Sequence, residues 1–88
     1  MAKYIVTLKK ELIPDLQNTD INDFSVEYQE GKESDFVSEF KVAFKIAVKA
    51  SSINSSKREG WLSTIDSFDA SKLEDMKDKG WLEKKLKN

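Results

Sequence analysis

The sequence predicts an α+β fold, a small antiparallel sheet covered on one face by a helix. Three observations predict it. Apolar and polar residues alternate over 3–9, 23–29 and 36–49. A segment at 70–79 carries a capping aspartate, early acids and a closing glycine, the marks of a helix. The only proline, Pro14, and two glycines, Gly31 and Gly60, fall between these segments, and Gly80 directly follows the last. The 88 residues make one domain, 1–88. A chain of this length buries about 60–65% of the surface its unfolded form exposes, so its core is small.

The first strand is 3–9. Tyr4, Val6 and Leu8 share one face, with Ile5 and Thr7 on the other. The stretch that follows contains Pro14 and the turn-forming run Gln17, Asn18, Thr19, Asp20, and reads as a loop with one helical turn after Pro14. The second strand is 23–29, with Phe24, Val26 and Tyr28 to one side. Gly31 then supplies the positive φ of a hairpin turn into 36–49.

The segment 36–49 carries the largest apolar face in the chain, Phe36, Phe40, Val42, Phe44, Ile46 and Val48. Two periods compete for it. As a strand it places all six on one side and Lys41, Lys45 and Lys49 on the other. As a helix, capped by Ser34, it gathers Phe36, Phe40, Ala43, Phe44 and Ala47 and leaves Val42 and Ile46 off the stripe. Five of the six even positions from 38 to 48 are β-branched or aromatic. On these grounds we expect a strand.

Residues 51–56 form a polar break or the start of a short helix that Gly60 closes, and 61–65 is a candidate fourth strand. In the helix at 70–79, Asp69 caps, Phe68 staples onto Leu73, and Gly80 ends the helix with Trp81 folding back onto Met76. The tail from Leu82 extends as another short helix or frays. The expected core sets Trp61, Phe68, Leu73, Met76 and Trp81 against Phe40, Val42, Phe44 and Ile46. The pair Gly60-Trp61-Leu62 and Gly80-Trp81-Leu82 reads as one device used twice, or as two tryptophans that anchor one partner surface.

Charge is segregated along the chain. From Glu11 to Glu39 there are nine acids and one base; from Lys41 to Arg58 there are five bases and no acid. Lys41, Lys45, Lys49, Lys57 and Arg58, with Trp61 beside them, are the candidate basic face for nucleic acid. The competing reading pairs these lysines with Glu27, Glu30 and Glu33 across a hairpin, which cancels the patch. A net charge of −1 and a single arginine favour the second reading. A helix at 36–49 would instead leave Lys41, Lys45 and Lys49 as a stripe on an open surface. The acidic block itself reads as a solvated face, with presentation to a basic partner as its functional alternative.

Other chemistries lack their parts. The absence of cysteine and histidine removes disulfides, thiolate or imidazole metal ligation, cysteine nucleophiles and histidine-based triads. Asp20 to Asp23 does not follow a calcium loop, and no glycine-rich phosphate loop or serine nucleophile motif occurs. No apolar run is long enough for a membrane span or a signal peptide, so the expected location is cytoplasmic, without membrane contact. The expected function is that of a small non-enzymatic accessory protein, of the kind phages and mobile elements encode. It needs no cofactor and acts through contacts with a protein partner, with Trp61 and Trp81 as candidate anchors. A nucleic-acid module is the alternative. Homodimerisation through unpaired sheet edges, as in an assembly component, is the third expectation.

Overall fold

The computed structural model describes residues 1–87. Three strands, β1 (Lys3–Leu8), β2 (Phe24–Gln29) and β3 (Leu82–Leu86), form an antiparallel sheet in the order β2-β1-β3. Three helices accompany it: α1 (Glu33–Lys49), α2 (Ser55–Asp66) and α3 (Ala70–Asp78). The fold is a small α+β domain.

The register follows the alternation of the sequence. β1 pairs with β2 from Lys3 opposite Gln29 to Leu8 opposite Phe24. Tyr4, Val6 and Leu8 therefore share a face with Tyr28, Val26 and Phe24, and this face carries the core. On the opposite face Thr7 and Ser25 join through their hydroxyls at 2.8 Å. The loop between β1 and β2 makes two single turns of 3₁₀ helix, the second with Pro14 at its first position. It is better anchored than its composition suggests. Ile13, Leu16 and Ile21 are buried, and Asp20 accepts from the Ser52 backbone amide at 2.8 Å.

Residues 36–49 are not a strand, and they form no hairpin with 23–29. They belong to α1, and the partner of β2 is β1. Phe36, Phe40, Phe44 and Ala47 recur at helical spacing and bury together. Phe24 meets the Phe40 and Phe44 rings at 5.3 and 5.6 Å, and Tyr28 stacks on Phe36 at 4.6 Å. That aromatic layer between helix and sheet outweighs the β-propensity of Val42, Ile46 and Val48. Val42 and Ile46 are outside the core, contrary to expectation: they are 58% and 62% exposed. Gly31 does take a positive φ, +91°, but in the turn that leads from β2 into α1. Ser34 is not the cap; α1 starts after Lys32, and the Glu33 carboxylate accepts from the Gly31 amide.

The fourth strand at 61–65 is likewise absent, because those residues lie inside α2. Asn54 starts that helix by accepting from the Lys57 amide at 2.8 Å, and Gly60 falls in mid-helix. The expected helix at 70–79 is α3. The Asp69 side chain accepts from the Lys72 amide at 2.8 Å, and Phe68 and Leu73 are both buried. Its end is a Schellman turn: Trp81 N donates to Met76 O at 3.0 Å, Gly80 N donates to Lys77 O at 2.9 Å, and Gly80 has φ +83°. The tail beyond it is neither helix nor frayed end. It is β3, paired with β1 from Leu8 opposite Leu82 to Tyr4 opposite Leu86.

Candidate functional site

α2 and α3 converge on the cleft that gathers the two tryptophans. Trp61 comes from the middle of α2 and Trp81 from the turn after α3, and both line one groove of about 420 Å³. Phe68 and Met76 line it too, both buried. Each tryptophan is half-buried and held from behind. The Trp61 ring lies 5.7 Å from Phe44 of α1, and Trp81, whose backbone amide bonds to the Met76 carbonyl in the Schellman turn, packs against the core. Lys79 Nζ stands 4.9 Å from the centre of the Trp81 ring. The volume is in the range of about 300–1,000 Å³ that ligand and anchor pockets occupy.

The rim is polar. Lys57 and Lys72 border the groove, both exposed, and neither ammonium has an ion-pair partner among the described residues. Asp15, from the second 3₁₀ turn, is the one carboxylate on the rim among the described residues. Gly60 contributes bare backbone to the wall, and a Cβ added there would meet no atom within 4 Å. Internal packing therefore gives no reason for a glycine in a helix interior. Its effect on the surface is open room in the groove.

The candidate basic face is divided. Lys45 ion-pairs with Asp66 at the end of α2, and Lys41 Nζ donates to the Asp66 carbonyl at 2.9 Å. The Asp66 carboxyl is held below its ordinary value, first by the hydrogen bond from Lys45 and further by the charges of Lys45, Lys41 and Lys49. Arg58 is turned inward: its Nη2 donates to the Ser51 and Ile53 carbonyls at 3.1 and 3.0 Å, strapping the α1–α2 link to α2. Lys49 and Lys57 remain exposed. The cross-hairpin pairs expected for these lysines do not form, because 36–49 is a helix; Glu27 pairs instead with Lys87 at 2.6 Å.

The chain matches no protein-family model, no curated protein and no solved structure.

A second concavity lies between the start of α1, α3 and the sheet, lined by Tyr28, Phe36, Leu73, Lys77 and Lys84. At about 130 Å³ it falls short of a drug-sized ligand site. Glu33 and Glu74 both border it. Glu74 bonds to Lys77 at 2.8 Å, and that bond holds its carboxyl below the ordinary value, the reverse of what a general acid requires. No group of three or more carboxylates is placed to hold a metal ion among the described residues. Among the described residues no helix is long and apolar enough to cross a membrane.

Two features of these surfaces were out of reach from sequence. The convergence of Trp61 and Trp81 needs the third dimension, although their shared Gly-Trp-Leu context hinted at it. The apolar ridge of Val42 and Ile46 on α1 was hidden by the strand reading. Its signal was present as two large apolar residues that fall off the core-facing stripe of the helix.

Proposed function

We propose that this chain is a small non-enzymatic binding protein that acts through contacts with a protein partner. Its docking site is the cleft between Trp61 and Trp81. The observation that supports this is the convergence of two half-buried tryptophans on one groove beside two lysines whose ammonium groups have no ion-pair partner among the described residues. Aromatic residues in a desolvated pocket, ringed by polar groups, make the anchors of protein interfaces. Gly60 adds support, since it holds the wall open at a cost of about 1 kcal/mol to the helix. The two rim lysines favour an anchor side chain flanked by carboxylates.

The nucleic-acid reading draws on the five cations from Lys41 to Arg58. Three of them already bond to acceptors of the chain itself, which weighs against a continuous phosphate row. Salt-sensitive binding of DNA or RNA at low ionic strength would revive it.

Capture from the lysate of the source cell tests the proposal. Wild-type chain and the Lys57→Glu, Lys72→Glu double variant are compared as baits. Both substitutions are exposed and leave the core untouched. A protein retained by the wild type and lost by the double variant is the expected result. Equal retention by both, or none by either, would remove the cleft from consideration.

A further inference from the structure

The outward face of α1 lies apart from the cleft and shares no lining residue with it. Along it Glu39, Val42, Ile46 and Lys49 follow one another at intervals of three, four and three residues, the seam of a two-helix coiled coil. Val42 and Ile46 are among the few large apolar side chains left in solvent, at 58% and 62% exposure. Glu39 and Lys49 are exposed as well, and neither forms an ion pair within the described chain. Ala43, beside the ridge, is small enough for another helix to come close.

The order of these residues has a symmetry. Val42 and Ile46 stand equally far from position 44 on either side, and so do Glu39 and Lys49. A two-fold axis through that level, perpendicular to the helix, sets Val42 of one copy against Ile46 of the other. The same operation sets Glu39 against Lys49, twice. In a two-fold interface residue i meets j and j meets i, so a stripe that is acidic at one end and basic at the other complements itself only when antiparallel. The antiparallel arrangement also matches the positions that face each other in such helix pairs. The Lys45–Asp66 contact is undisturbed, because it lies on the flank that α2 covers.

We infer that α1 is a homodimerisation surface, and that its occupant is the same ridge of a second copy of this chain, packed antiparallel. Glu39 and Lys49 fix the direction and the register; Val42 and Ile46 supply the apolar contact. The seam from Glu39 to Lys49 is about 15 Å long at about 1.5 Å per residue. So short an interface is in the weak class, below about 1,200 Å² of buried surface, and it forms a dimer of micromolar or weaker affinity.

Sedimentation equilibrium at protein concentrations from about 10 µM to about 1 mM spans that range of affinity. Wild type is expected to shift from monomer to dimer mass. Glu39→Lys and Lys49→Glu each set like charges opposite one another and are expected to weaken association at least about tenfold. The double variant E39K/K49E restores opposite pairs and is expected to dimerise as wild type does. All four chains keep the same circular dichroism, since both positions are exposed. A monomer mass at every concentration overturns the inference. So does a double variant that stays as weak as the singles, since the rescue follows from antiparallel pairing alone.

Discussion

Lys45 of α1 and Asp66 of α2 form an ion pair that closes the helix–helix junction, and Lys41 completes it by donating to the Asp66 carbonyl at 2.9 Å. A charge and a helix C-terminus are thus satisfied by two lysines one turn apart.

This contact should make the junction acid-sensitive. The Asp66 carboxyl is held below its ordinary 3.8 in the folded chain by the Lys45 hydrogen bond. Its contribution is complete above that value and is lost as pH falls through the lower folded value. In urea unfolding, Asp66→Asn should be less stable than wild type at neutral pH. The gap should narrow as the pH drops below 3.8 and the wild-type carboxylate takes up its proton. A gap that stays constant with pH would show that the ion pair contributes nothing.

Two glycines should respond to alanine with opposite signs. Gly60 lies inside α2 with open space where a Cβ would go, so Gly60→Ala should stabilise the chain by about 1 kcal/mol. Gly80 has φ +83° in the Schellman turn, where a side chain is strained, so Gly80→Ala should destabilise by about 1–2 kcal/mol. For a domain of this size, 1 kcal/mol corresponds to about 4–8 °C in Tm, which thermal melts resolve.

Phe44→Ala should come close to unfolding the domain. Phe44 is fully buried and touches Phe24, Phe40, Trp61 and Phe68, at ring separations from 5.6 to 6.1 Å. The expected loss is about 3–5 kcal/mol, against a total stability of about 5–15 kcal/mol. Tryptophan emission and urea midpoints report it together, because Trp61 rests on the deleted ring.

Asn54→Ala removes the cap of α2 and should cost about 1 kcal/mol. Asn54→Asp, which keeps an acceptor for the Lys57 amide, should recover most of it. Equal losses in the two variants would mean that the capping bond is not what holds the start of α2.

Legibility from sequence followed how local each cause is. β1, β2 and α3 were readable because alternation, the Asp69 cap and the Gly80 stop each lie within a few residues of what they control. α1 was misread because two periods fit the same letters, and the deciding fact, the Phe24 and Tyr28 rings waiting across the sheet, is nonlocal. β3 was missed for a different reason. Lys84 stands on its core-facing side, where alternation calls for an apolar residue. It is accepted there because its ammonium lies 4.5 Å above the Tyr4 ring and 5.6 Å from that of Tyr28. Gly60 shows the converse error, a helix-stopping residue carried through the middle of α2 by capping at Asn54 and by the burial of Ile65. Of the candidate site, the tryptophans were legible as individuals, and their convergence was not.

The pairing of β3 with β1 bears on how the sheet is closed. β1 is the central strand, yet one of its neighbours lies more than seventy residues downstream. Without residues 82–86 the second edge of β1 has no backbone partner. Loop-closure entropy makes this the costlier of the two pairings that β1 forms. β3 therefore acts as a latch: docking of Leu82 against Leu8 is the step that covers this side of the sheet.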